Sequence, residues 1–257
     1  MPVPAMIHLD GQPDLLFVAP HAPAPVEDAL PLFVDAPEVH AELAARVANW
    51  HDTGSDRALE AAVAATGGRG ALPTLPRAVV DLNRGWRGRV EAQETLFGKG
   101  AVDAWTRERL RPGGEAELEA WYRAAFAEIR EAGRQARGLV ELHSYGDLGS
   151  TYDRMAGGRP MRRAAAAIIH GAPWATAQPV GLARLIPADL RGTPWALGVR
   201  VEAALGQAGF APGPSPYPTL LPWTVTSRFL ADRWFGWLGE IGRLPRPVAG
   251  ALQDLAW

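Results

Sequence analysis

The residues of this chain best suited to chemistry stand in two short segments. In the first, Arg77-Ala78-Val79-Val80 leads into Asp81-Leu82-Asn83-Arg84; in the second, Gly138-Leu139-Val140 leads into Glu141-Leu142-His143-Ser144-Tyr145-Gly146. Strands whose carboxyl ends deliver polar groups are where open α/β sheets build their sites. An Asn-Arg pair suits a carboxylate, because the guanidinium fork can take both oxygens while the amide adds a donor. A histidine in such a position suits a metal ion.

The histidines sort by what precedes them. The chain has six: His8, His21, His40, His51, His143 and His170. His8, His40 and His170 read as structural or solvated positions. His21 and His143 differ, because each follows an apolar, strand-like run. Singly, each would more often be structural; paired at two strand ends, they favour a metal. A hydrolytic zinc site needs about three protein ligands and one open position. The chain has no cysteine, so the third ligand is expected to be a carboxylate on a loop between the histidines. Asp52 and Asp56 flank the flexible Gly54. Asp56 precedes a helical pattern and suits a helix N-cap, which leaves Asp52 as the better ligand candidate, with His51 ranked below it.

These residues need elements to carry them. Residues 15–19 (Leu-Leu-Phe-Val-Ala) form an apolar run expected to be a buried strand ending at Pro20-His21. Residues 38–50 have helical spacing, with Val39, Leu43, Val47 and Trp50 on one face. A second helix is expected over 56–65, capped by Gly67-Gly68, and a strand over 78–82. Residues 85–114 read as a charged excursion with helical stretches. Residues 115–136 carry the clearest amphipathic pattern, followed by a strand over 138–142. Residues 164–169 suit strand or helix equally, 196–208 suit a helix ending at Gly209, 223–229 a strand, and 229–241 a helix. Strands alternating with helices predict an α/β fold: a mixed, mostly parallel sheet flanked by helices. There is no internal repeat. The ten tryptophans lack the spacing of a stacking ladder and are assigned to packing, with Trp223, Tyr217, Tyr145 and Tyr152 as candidate pocket walls.

Bulk properties narrow the function classes. The 257 residues, 47% hydrophobic, can bury one sizeable core, so a single domain over 1–257 is expected. A net charge of -2 recommends neither nucleic acid nor an anionic membrane as partner. Arginine all but replaces lysine, Lys99 being the single exception. The first thirteen residues show no basic stretch followed by an apolar one, and no apolar run approaches ~20 residues. A soluble, cytoplasmic protein is the expectation; oligomeric state is not set by the sequence.

The segments also resemble those of known enzymes. Val80 to Trp86 is similar to the Asp-Leu-Asn-Arg segment of the zinc carboxypeptidase superfamily, and His143-Ser144-Tyr145-Gly146 to the segment bearing its last zinc-binding histidine. The closer resemblance is to the N-formylglutamate amidohydrolase family. It rests on the Pro20-His21 turn, the Asp52-Thr53-Gly54 loop, the Arg-x-x-x-Asp-x-Asn-Arg run from Arg77 to Arg84, and the acid-x-His-Ser turn from Glu141 to Ser144. These occur in order over residues 20–146, about half of the chain.

The resemblance implies a phosphorylase/hydrolase-like, zinc-peptidase-like fold and a zinc-dependent amidohydrolase cleaving a small N-formyl or N-acyl amino acid. It implies one zinc held by His21, Asp52 and His143. Asn83 and Arg84 would face a substrate carboxylate, assisted by Arg77; the alternative for Arg77 is a salt bridge to Asp81, itself assigned a structural role. Tyr145, from its position beside His143, is a further substrate-binding candidate. Glu141 is the carboxylate placed in the catalytic set, orienting a ligand rather than binding the metal.

Departures set the rival readings. The first turn reads His21-Ala22-Pro23-Ala24, where the family continues with serine or proline and then glycine. Related enzymes place a general-base glutamate on a late strand, yet residues 223–230 contain no acid, and Glu202 upstream reads as an exposed helix residue. One rival is therefore a metal-binding protein with altered or lost hydrolase activity. The other, a carboxypeptidase acting on peptides, is disfavoured because Ala24 stands where a His-x-x-Glu motif would place its acid.

Overall fold

A computed structural model describes residues 4–86, 100–136 and 138–144, with short pieces at 166–168, 203, 206–207, 209 and 212–214. The chain divides into two compact units, and the described residues up to 144 lie in the first.

The first unit is organised around one strand. β2 (Gln12–Val18) pairs in parallel with β3 (Gly68–Pro73) on one side and with β4 (Gly138–Glu141) on the other. β1 (Met6–Leu9) joins β3 antiparallel, giving the order β1-β3-β2-β4. The sheet is mixed and mostly parallel, as expected. Both faces of β2 are covered at its carboxyl end, which explains the unalternating apolar run from Leu15 to Val18; the strand begins three residues earlier, in the more exposed Gln12-Pro13-Asp14. Leu16 and Val18 enter the main core with residues of α1 (Pro37–Asn49) and α4 (Gly114–Arg134). Phe17 and Ala19 join a second cluster with Leu59 of α2 (Ser55–Thr66) and Leu72 of β3.

The helices follow from their spacing. On α4, Leu118, Tyr122, Ala125, Phe126 and Ile129 are buried at intervals of three and four, the stripe that turns an amphipathic helix onto a core. On α1, Val39 and Leu43 are buried, but Trp50 is half exposed. The helix ends at Asn49, and Trp50 leaves the helical face to stack on Arg46, 4.5 Å from guanidinium carbon to ring centre. α2 starts after Gly54 and stops at Gly67, both left-handed, with φ of 77° and 70°, where an L side chain is disfavoured. The N-cap is thus Gly54 and not Asp56, which sits in the first turn.

One expected strand is absent. Residues 78–82 are buried but form turns. Pro76 has no N–H to give a ladder, and its carbonyl accepts from Val79 N at 2.9 Å and Val80 N at 3.2 Å, which curls the chain. The place beside β2 is filled instead by β3, where Gly68 and Gly70 mask the strand signal. The excursion expected at 85–114 contains α3 (Ala104–Arg109), N-capped by Asp103. In the second unit, β5 (Ala166–Ile168) pairs in parallel with β6 (Pro212–Pro214), so the ambiguous run at 164–169 contains a strand. Residues 203, 206 and 207 are helical and Gly209 has a φ of 86°. The strand and helix expected at 223–229 and 229–241, and the side chains of Tyr145, Tyr152, Tyr217 and Trp223, lie outside the described residues.

Candidate metal centre

Parallel pairing of β2 with β4 sets the site. Val18 lies opposite Glu141, so the segments leaving both strands emerge side by side, and the ladder continues with Leu142 N donating to Val18 O at 2.8 Å. This brings His21 and His143 together, their ring centres 4.8 Å apart. The loop between α1 and α2 adds Asp52, whose backbone N–H donates to His21 O at 2.9 Å. Ser55 fixes the other side of that loop, its hydroxyl donating to Asp52 O at 2.8 Å. The turns after β3 carry Arg77, Asp81, Asn83 and Arg84 across the same sheet edge, and Tyr122 of α4 pins them by donating to Arg84 O at 2.6 Å.

Three side chains converge as a ligand set. One ligand atom from each of His21, Asp52 and His143 lies within 4.8 Å of the others. His21 and Asp52 are buried, while the His143 side chain is 26% exposed. The floor of the cluster is thus buried and its rim reaches the surface.

Each histidine is held by a carboxylate at its far nitrogen. Nε2 of His21 lies 2.8 Å from Asp81 Oδ1, which turns Nδ1 towards Asp52 Oδ2 at 3.6 Å. Nε2 of His143 lies 2.9 Å from Glu141 Oε1, and its Nδ1 lies 2.8 Å from Asp52 Oδ2. Nδ1 of both rings and Oδ2 of Asp52 therefore face one point. Carboxylate–histidine pairs of this kind fix the tautomer and raise the basicity of a metal-binding nitrogen. The donor set, two imidazoles and one carboxylate with no thiolate, fits a divalent ion such as zinc and also suits iron or manganese.

Charge in the cluster is shared across these contacts. Burial on its own would raise the Asp52 carboxyl, but hydrogen bonds from His143 and His21 and their positive charge outweigh it and hold the group well below the usual range. Asp81 is likewise penalised by burial, yet His21, Arg77 and Arg84 keep it ionised far below its ordinary value. His143 is opposed by burial but stabilised as the cation by Asp52 and Glu141, which push it up to about 9.

The other candidates fall around this centre. Arg77 spans two carboxylates, with Nη1 3.3 Å from Asp52 Oδ1 and Nε 3.4 Å from Asp81 Oδ2. Arg84 Nε also meets Asp81 Oδ2, at 2.9 Å. Asn83 Nδ2 donates to Glu141 Oε1 at 2.5 Å and lies 3.0 Å from His143 Nε2. His51 turns away, its Nδ1 placed on Val47 O at 3.0 Å, and so caps the end of α1. His8 pairs with Glu128 at 3.1 Å on the sheet edge. Tyr145 lies outside the described residues.

Sequence reasoning gave Asp81 too small a part. It accepts from His21, Arg84 and the Asn83 backbone and lies close to Arg77. Its only signal was an acid closing an apolar run, and the partner sixty residues away is set by the fold.

The mostly parallel α/β sheet gathers a His–Asp–His cluster at its strand ends, a candidate metal centre. Neither a family model nor a curated protein matches the sequence. Among solved structures, the fold is similar to the crystal structure of N-formylglutamate amidohydrolase from Ralstonia eutropha JMP134. The two share 21% identity and a TM-score of 0.51 over 82% of this chain and 76% of that one. The likeness establishes the fold, and it falls on the family that the sequence motifs resemble. No helix among the described residues is long and apolar enough to cross a membrane.

Proposed function

We propose that this chain is a metal-dependent amidohydrolase acting on a small N-formyl or N-acyl amino acid. The observation that carries the reading is the convergence of His21, Asp52 and His143 at one end of adjacent parallel strands. Together these residues would hold one divalent ion, zinc being the best fit to the donors. When bound, such an ion polarises an acyl carbonyl and makes water a competent nucleophile near neutral pH.

The remaining residues have the chemistry to position a substrate. Arg84 is braced by Asp81 at its Nε and by Tyr122 at its carbonyl, which suits its guanidinium to hold the carboxylate of a small substrate. Asn83 beside it, tied to Glu141, stands between that anchor and His143. A substrate fixed at its carboxylate presents its amide in a constant register, which removes orientational freedom from the barrier. Glu141 holds the far nitrogen of His143 and so keeps that ring aimed.

The test is metal analysis of the purified protein with turnover of a panel of N-formyl and N-acetyl amino acids. About one zinc per chain, with hydrolysis abolished by chelation and restored by zinc, is the expected result. A protein that binds no divalent ion would overturn the reading. One observation favours a second reading: residues 223–230 carry no acid to serve as a late-strand general base. Stoichiometric zinc and ligand-induced thermal shifts without turnover of any member would select a metal-binding protein that has lost hydrolysis.

A further inference from the structure

Resting on the proposed metal centre, we infer that Arg77 is a positioning residue that keeps Asp52 a one-oxygen ligand. The two oxygens of Asp52 have separate surroundings. Oδ2 faces both imidazoles and accepts from Ser144 N at 3.2 Å. Oδ1, among the described residues, meets only Arg77 Nη1. Left unheld, an aspartate beside a divalent ion can rotate and offer its second oxygen. That would fill the position a zinc hydrolase keeps open for water or substrate. A charge-assisted hydrogen bond at Oδ1 opposes the rotation.

The same guanidinium reaches Asp81 through Nε. Asp81 divides its oxygens in the same way, Oδ1 to His21 and Oδ2 outward to the arginines. One planar fork thus restrains the outer oxygens of two carboxylates whose inner oxygens serve the centre. Only an arginine can span both, since a lysine offers a point charge without a fork. Asp81 keeps Arg84 when Arg77 is removed, while Asp52 Oδ1 has no such second partner among the described residues. The consequence of losing Arg77 should therefore appear at Asp52.

Cobalt(II) substitution tests this directly. Four-coordinate cobalt absorbs visible light more strongly than five-coordinate cobalt, because its geometry lies further from an inversion centre. The unmodified protein is expected to show the strong four-coordinate spectrum, and Arg77→Met to lose intensity as Asp52 contributes a second oxygen. Arg77→Lys, which can still donate to Oδ1, is expected to keep most of it. With any N-acyl amino acid the unmodified protein turns over, Arg77→Met should lower kcat by about 10- to 100-fold, with KM within about twofold. A cobalt spectrum unchanged in Arg77→Met overturns the inference, and a raised KM with unchanged kcat would assign Arg77 to substrate instead. If Arg77→Met does not fold, Arg77→Leu, which likewise offers no donor to Oδ1, carries the same expected signs. Failure of the unmodified protein to take up cobalt or zinc would overturn the metal centre itself, an outcome distinct from an unchanged variant spectrum.

Discussion

At the scale of single residues, the centre works by dividing each polar group between an inner and an outer partner. Asp81 illustrates the cost of disturbing that division. Asp81→Asn weakens the anchor on His21 Nε2 and leaves Arg77 and Arg84 with a neutral neighbour. Zinc affinity is expected to fall by about 10- to 100-fold, measured by competition with a chromophoric chelator; unchanged affinity would remove Asp81 from the site. His143 adds a pH dependence whose sign is fixed. Its pKa, raised from 6.5 to about 9 in the protein without metal, means that a proton must leave before its nitrogen can bind an ion. Zinc affinity should therefore rise from neutral pH towards about pH 9, with proton release visible by calorimetry in buffers of different ionisation enthalpy. The metal-free fold behaves in the opposite sense. The raised His143 contributes stability that is full below pH 6.5 and is lost as the pH climbs through about 9. The depressed Asp52 and Asp81 contribute stability present above pH 3.8 and lost as the pH falls. Denaturant midpoints of the metal-free protein should thus be highest between those limits, and a midpoint higher at pH 9 than at pH 6 would contradict the assignment of His143.

At the scale of elements, legibility depended on whether a segment is shaped by its own pattern or by its neighbours. β2, β4 and α4 could be read because the two strands carry short unbroken apolar runs and the helix a regular stripe, while the polar start of β2 at Gln12–Asp14 could not. The ligand candidates His21, Asp52 and His143 could be read because they follow such runs or stand at turn chemistry. β3 could not, since its glycines imitate a loop, and residues 78–82 imitate a strand while curling around Pro76. In both cases the decision is made by which segment wins the place beside β2, a competition that local sequence does not record. The loop holding Asp52 shows how an element's geometry reaches the site. Gly54, two residues on, has a φ of 77° and opens α2. Gly54→Ala forces an L residue into the left-handed region, at a cost of roughly 1–2 kcal/mol, and the strain is relieved most easily by shifting the Asp52 loop. The variant is expected to melt at lower temperature and also to bind zinc more weakly. A lowered melting point with unchanged zinc affinity would show the loop to be independent of its cap.

At the scale of the whole molecule, the first unit separates what holds the fold from what holds the site. The cores on either face of β2 consist of apolar residues, with Leu59 fully buried against Phe17 and Leu72. The polar cluster sits at the strand ends and joins the exits of β2 and β4 to two loops. An ion bound there tightens only the native state, so it raises stability by mass action, by about 2.7 kcal/mol at a concentration 100 times Kd. Core and site should then respond independently to substitution. Leu59→Ala empties a buried position and is expected to cost about 2–5 kcal/mol, lowering the melting temperature while leaving the rise on adding zinc intact. His143→Ala removes a proposed ligand at the partly exposed rim and with it the cation beside Asp52, so it should lower the metal-free melting temperature as well, yet unlike Leu59→Ala it should abolish the zinc-dependent rise. Differential scanning calorimetry of both variants with and without zinc makes the comparison. Near-stoichiometric zinc and an undiminished rise in His143→Ala would sink the ligand assignment. Loss of the rise in Leu59→Ala would instead show that the centre depends on the packing beneath it, contrary to the separation that the parallel pairing of β2 and β4 provides.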